Sequence, residues 1–414
     1  MKAGFASRII SPEQPVKMAG FDRRSEPSCG ILDQLHLRIL ALEGEAKSAF
    51  MLCSFDLLGT DSAFCTRIRN CISAATGLTR EQIWVSATHT HSAPSSHFSG
   101  NNFDLNYVEK LEQLAVEASL EALNDLRPCE LSAAYTEVTG VCSRRNLGRE
   151  GAATYGMPLL QLRFKRSEGN DISLIRIACH PTILDEKNLL ISADLPGSAN
   201  PTGENMLFFN GACADLSTRF TRRASDVSEL KRIAELLHLG IEANKKELKA
   251  VSSASLACAE ETISLSRSGG IEGEERDALL QQLRKMAAEC ADPQAWREYD
   301  SRIAVLERQN VKPEAARRIL VSAVDFSAFA LVSLPFEADS ADGEEIEALL
   351  SEAAGKPVYL FCYTGGYDGY LPSGKPLTAQ SSYEDFASRY KPEARNMVWE
   401  CAKECILRTT GSQH

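Results

Sequence analysis

Six short apolar runs stand out along the chain: residues 48–58 (SAFMLCSFDLL), 83–91 (IWVSATHTH), 173–180 (SLIRIACH), 206–210 (MLFFN), 329–337 (FALVSLPFE) and 357–363 (PVYLFCY). Such runs predict strands buried on both faces. Between them, apolar residues recur at three- and four-residue intervals over 62–76, 106–126, 228–248 and a stretch near 342–354. That spacing gathers them on one face of a helix. Strands alternating with helices predict an α/β (mixed α+β) fold, with mixed β-sheets flanked by helices. The stretch 264–315 departs from this pattern. It opens near Gly269-Gly270 and reads as two charged helices broken near Ala291-Asp292-Pro293. We expect a helical hairpin near 270–310, inserted into a single domain spanning 1–414; a separate lid or interaction arm is the alternative.

Charge narrows the classes of function. The 45 basic and 56 acidic residues give a net charge of −11, and they are interleaved with no polybasic block. Nucleic acid as a principal partner needs a basic footprint and is excluded on that ground. An anionic membrane surface is disfavoured for the same reason. No apolar run approaches the ~18 residues of a transmembrane helix, and MKAGFASRIISPEQ lacks a signal-peptide core. The 13 cysteines form no CxxC pair, and several, such as Cys53 and Cys179, lie inside apolar runs. That usage suits reduced, buried thiols in a cytoplasmic protein.

Candidate chemistry collects at the ends of the apolar runs. Strand alternation would put Ile83, Val85, Ala87, His89 and His91 on one face. His180 ends a second run, and Glu337 is the first charge after a third. Tyr363, Tyr367 and Tyr370 cluster with three glycines beyond the last. Taken singly, each could be a hydrogen-bonded core imidazole, a cap, a solvated charge or turn packing. Taken together, they occupy the strand ends where open α/β sheets bind ligands. Two histidines and a carboxylate suit Zn2+ with an open water position, whose bound water ionises near pH ~7. No HExxH helix is present.

The segment SATHTHSAP resembles the signature of the neutral/alkaline (non-lysosomal) ceramidases, and further motifs agree in order. They include GFASRIISPEQPVKMAGF, GILDQLHLRILALE, MLCSFDLLG, ISADLPG, NGACADLS, SLPFEA, and GYDGYLP followed by QSSYE. The resemblance is to the N-terminal catalytic domain of the family, without its C-terminal immunoglobulin-like domain. It implies a zinc amidohydrolase that cleaves an N-acyl amide of a ceramide-like lipid, such as a sphingolipid, or of another small N-acylated molecule. It also implies metal ligands at His89, His180, Glu337 and Tyr370. His91 would bind substrate and stabilise the oxyanion, and Tyr383 would hydrogen-bond the reacting amide. The family's arginine falls on Arg144 in CSRRN, with Arg145 as the neighbouring alternative. Departures are Ala93 in place of a glycine, Ser143 in place of an asparagine, Pro372 after the tyrosine, and the CADLSTRF loop. They keep open a zinc esterase or deacetylase acting on a non-lipid substrate, or a non-catalytic ligand-binding protein. Asp56, Asp194, Asp215, His36, His238 and Cys213 read as structural. His97 reads as exposed, and Phe98, Phe103 and Phe220 as packing. A deep apolar tunnel over the metal would favour a lipid; a polar bowl would disfavour one.

Overall fold

Along each central strand, neighbouring side chains enter different cores. In Ile83–Ala87, the residues Ile83, Val85 and Ala87 pack with helices. Trp84 points the other way, edge-on to Phe50 and Phe361. Asn205–Asn210 repeats the arrangement, with Met206 and Phe208 on one side and Leu207 and Phe209 on the other. Burial on both sides explains why these runs are apolar throughout instead of alternating. The computed structural model describes residues 1–96, 104–251, 255–267, 271–308 and 315–411.

Two sheets carry the fold. The larger runs, in order, Asn205–Asn210, Ile172–Ile177, Gly156–Arg166, Arg127–Thr139, Lys2–Ile9, His36–Glu43, Ala49–Phe55 and Ile83–Ala87, with Lys249–Ala250 beside Arg127–Thr139. Its end pairs are parallel and the strands between them antiparallel. The smaller runs Ala257–Leu265, Arg317–Asp325, Ala330–Ser333 and Val358–Phe361, of which only the last pair is parallel. Mixed sheets between helices are the fold class expected from the sequence. The inner faces meet through Leu52, Trp84, Phe209, Leu331 and Phe361. Ser62–Thr76 and Leu105–Asn124 cover the outer face of one end of the large sheet. Val227–Asn244 covers the other end. Ser340–Ala354 and Ala394–Thr409 cover the small sheet. The result is four layers: helices, sheet, sheet, helices.

Local signals set the helix limits. Asp61 caps the first helix by accepting the Phe64 N–H at 2.9 Å, and Gly77 ends it at φ 78°. Between the paired strands Ala257–Leu265 and Arg317–Asp325, the chain leaves the sheet and forms two helices, Gly273–Glu289 and Pro293–Arg308. These share a small core of their own, Leu279, Leu280, Leu283 and Leu306 with Phe386. All thirteen cysteines are free, most of them buried. Among the described residues no helix is long and apolar enough to cross a membrane.

The two sheets are stitched at one end. The Ala87 N–H donates to the Tyr363 carbonyl at 3.1 Å, and the Gly365 N–H to the Val85 carbonyl at 2.8 Å. The Cys362 N–H reaches the Asn210 carbonyl, and the Asn210 side chain reaches the Thr88 carbonyl, both at 2.9 Å. The polar strand ends from both sheets converge there.

Candidate metal centre and its cleft

The strand bearing the paired histidines ends at Ala87, earlier than its alternation suggests. His89 then takes a left-handed conformation, φ 69°. The two imidazoles therefore do not share a strand face by simple period. A turn brings them together instead, edge to face, with ring centroids 4.9 Å apart and Nε2 atoms 3.4 Å apart.

Two main-chain carbonyls orient the histidine donors. His89 Nδ1 lies 2.6 Å from the Leu58 carbonyl oxygen, and His180 Nδ1 lies 2.7 Å from that of Cys213. A carbonyl accepts only, so each Nδ1 carries the proton and each Nε2 presents a lone pair. Both Nε2 atoms face the same carboxylate oxygen. Glu337 Oε2 is 3.3 Å from His89 Nε2 and 3.2 Å from His180 Nε2. Ligands ~2.0–2.1 Å from a tetrahedral zinc stand ~3.4 Å from one another. The donor set present therefore fits such an ion. All three side chains are almost fully buried.

Glu337 is itself held in place. Its N–H donates to the Gly369 carbonyl and its own carbonyl accepts from the Leu371 N–H, both at 2.9 Å, in a bridge with Tyr370. The Tyr367 hydroxyl donates to Oε1 at 2.5 Å and the Tyr363 hydroxyl to Oε2 at 3.4 Å. Tyr363, at φ 56°, lies against the His89 ring at 4.2 Å between centroids. Burial works against the Glu337 charge, but the His89 and His180 rings, when protonated, outweigh it and hold the carboxyl well below its ordinary range.

His91 is supported differently. Its Nδ1 is buried with no hydrogen-bond partner among the described residues. Phe21 packs on the ring at 4.8 Å, and Arg24 donates to the His91 carbonyl at 2.7 Å. Gly20, at φ 102°, lets the chain pass so closely that a Cβ there would sit 2.4 Å from His91 Nδ1. Burial, followed by the neighbouring His89 and His180, pushes the His91 pKa well below its usual value, so the ring stays neutral near pH 7.

An open cleft of about 510 Å3 lies above these groups, with His91, His180, Arg145, Tyr370 and Tyr383 in its wall. Burial raises the pKa of both tyrosines, so their hydroxyls keep their protons near neutrality. Arg145 is paired with Glu384 at 2.6 Å; burial opposes its charge, but Glu384 and its other neighbours keep it firmly protonated. Arg144 does not reach the cleft. Its guanidinium turns to Ser340 Oγ at 2.8 Å and to Glu344 at 2.6 Å. Successive residues of the short strand Ser143–Arg144 and its continuation point opposite ways, so only one arginine can face the site, and it is Arg145.

The remaining residues singled out from the sequence fall elsewhere. Asp215 accepts from the Ser340 N–H and hydroxyl at 2.7 and 2.9 Å and acts as a brace. Asp56 pairs with Arg38, His36 stands beside it, and His238 lies on the outer helix Val227–Asn244. Burial raises the Cys213 thiol far above its usual pKa, which removes it as a nucleophile. Phe220 does not line the cleft. His97, Phe98, Phe103 and His414 lie outside the described residues. Gly20, Phe21, Arg24 and the arginines of the cleft other than Arg145 were not singled out in the sequence. The turn MAGFDRR is the local sign of Gly20, Phe21 and Arg24, and the stretch TRFTRR, 218–223, that of Arg219, Arg222 and Arg223.

No protein family and no curated protein is matched by the sequence. Among solved structures, the chain is similar to neutral ceramidase from Pseudomonas aeruginosa, with a TM-score of 0.78 at 18% identity over 99% of this chain and 74% of that one. A ceramidase complexed with C2 gives a TM-score of 0.76 at 16% identity over the same shares. The chain has the ceramidase fold over nearly its whole length, as the order of its motifs led us to expect.

Proposed function

We propose that the chain is a metal-dependent hydrolase of N-acyl amides, with zinc as its metal. One observation carries this reading. His89 and His180, each locked to a main-chain carbonyl through Nδ1, aim Nε2 at the same Glu337 oxygen beneath an open cleft. A buried donor set of two imidazoles and one carboxylate, oriented in advance, suits zinc with a position left open. Likeness in fold to ceramidases supports the amide as the bond cleaved.

When bound, zinc supplies a Lewis acid and a water of lowered pKa. The chain's own residues do the rest. His89, His180 and Glu337 hold the ion, with Tyr370 bridged to Glu337 on the cleft wall. His91, neutral and backed by Phe21, handles the substrate carbonyl. Arg145 and Tyr383 donate to the oxygen that gains charge as the carbonyl is attacked. One such donor contributes about 3–4 kcal/mol of barrier lowering.

Metal analysis of purified variants tests the assignment. His89→Ala and His180→Ala are expected to lose bound metal and turnover together; full occupancy in both would sink the proposal. His91→Ala is expected to keep its metal and lose turnover by roughly a hundredfold or more. Loss of metal from that variant would make His91 a ligand.

A further inference from the structure

The cleft over the metal centre is cationic, although the whole chain carries a net charge of −11. Arg145, Arg219, Arg222, Arg223, Arg297 and Lys187 line it, against Asp185, Glu186 and Glu298. Two of the arginines already have acids: Arg145 pairs with Glu384, and Arg219 with Glu298. Arg222 instead donates to the main-chain carbonyls of Thr182 and Ile183. Among the described residues neither Arg222 nor Arg297 has a carboxylate within ion-pair distance. Burial first, and then the nearby Arg145 and Arg222, bring the Arg219 pKa down to about 10. Phe21 and Ala224 are the only aliphatic or phenyl side chains on this wall among the described residues.

A neutral headgroup would leave the surplus of cations here only partly balanced, since Asp185, Asp194 and Glu186 act on Arg222 and nothing pairs with Arg297 among the described residues. An oxyanion would answer them, because guanidinium groups match carboxylate and phosphate oxygens in bidentate geometry. An adjoining recess of about 900 Å3 shares Phe21, Arg219, Arg297 and Tyr383 with the cleft and adds Trp296, Val305 and Phe386. It also adds four more arginines, Arg23, Arg267, Arg308 and Arg389, against Asp22 and Asp300, so the cationic surface extends beyond the cleft.

We propose that the substrate is an N-acyl anion, its carboxylate or phosphate held by Arg222 and Arg297 beside the metal centre. This inference rests on the hydrolase reading for its chemistry but not for its binding. The helix Pro293–Arg308, which brings Arg297 to the cleft, thereby becomes a specificity element of the fold.

Matched amides test it: N-octanoylglycine, N-octanoyl phosphoethanolamine, neutral N-octanoylethanolamine and N-octanoylsphingosine, each given to the zinc-loaded chain. At least one charged amide is expected to exceed both neutral ones in kcat/KM by about 10- to 100-fold. Which of the two charged amides leads distinguishes a carboxylate from a phosphate. Arg297→Ala, at an exposed position, and Arg222→Lys should each shrink the charged-over-neutral ratio about tenfold. The ratio should also fall as salt rises. Calorimetric titration of the same amides into the metal-free chain gives a readout independent of turnover. Hydrolysis with no preference for charge, or a ratio unmoved by both variants, overturns this inference and leaves the hydrolase reading intact. Charge-dependent binding without hydrolysis does the reverse. Neither binding nor hydrolysis of any amide overturns both.

Discussion

At the scale of single residues, the left-handed positions mark where the chain gives up regular structure to build the site. His89, Tyr363 and Asp194 all sit at positive φ, and all are buried. For residues with side chains this conformation is held only by strong surrounding constraint. Asp194 shows what that costs. Its carboxylate accepts the N–H groups of Ile183, Leu184 and Leu195 at 3.3, 3.0 and 2.8 Å. Burial nevertheless pushes its pKa up from 3.8 to about 6. The folded chain therefore binds this proton more tightly than the unfolded one. The stability it contributes is fully present below pH 3.8 and is lost as pH rises to about 6. The change is on the order of 3 kcal/mol. Asp194→Asn cannot ionise, so wild type should lose stability relative to it between pH 4 and 6. Urea unfolding of the metal-free proteins measures this, and parallel pH profiles would rule Asp194 out as the source. Of the site itself, His89, His180 and Glu337 were legible in the sequence because a lone polar group after an apolar run is conspicuous. The sequence reading placed the arginine on Arg144, with Arg145 as the alternative, and the structure reverses that order, because two adjacent arginines look alike until a strand direction assigns one to each side.

At the scale of elements, the runs buried on both faces were readable and the alternating strands were not. Arg127–Thr139 and Ala257–Leu265 carry charged and half-exposed residues among their apolar ones, so neither presents a continuous run. The helices at 62–76 and 106–126 matched their periodicity closely, since one face of each is buried. The inserted hairpin was legible from its break at Asp292-Pro293. Its link to the cleft was not, because its charged faces look solvated in sequence. The hairpin has its own small core, separate from the three large ones, so it should open independently. Leu283 is fully buried in that core. A Leu→Ala change in a core typically costs about 2–5 kcal/mol. Leu283→Ala should therefore speed hydrogen exchange across 273–308 and raise KM, with little change in the thermal midpoint of the rest. A global drop in the midpoint with unchanged hairpin protection would show the opposite coupling.

At the scale of the whole molecule, the proposed metal centre is assembled only because two sheets are packed face to face. His89 and His180 follow strands of the large sheet, whereas Glu337 and the tyrosines follow strands of the small one. Phe361 lies at the junction, fully buried, with its ring 5.1 Å from Phe209 and 6.2 Å from Trp84. Phe361→Ala should destabilise the fold by about 3–5 kcal/mol. It should also weaken metal retention, because the donors would no longer share one frame. A lowered melting temperature with metal affinity unchanged would mean that the strand-end stitching alone holds the site. The amino-acid sequence by itself determined the alternation of strands and helices, the donors at strand ends and the order of motifs along the chain. Those are properties of short stretches, set by burial and periodicity. Tertiary structure alone decided that a turn, and not a strand face, joins His89 to His91. It alone decided that Arg145 faces inward, and that arginines from distant segments gather into a cationic cleft on an acidic protein. Each of these depends on where separate segments point after the sheets pack, and no local pattern encodes that.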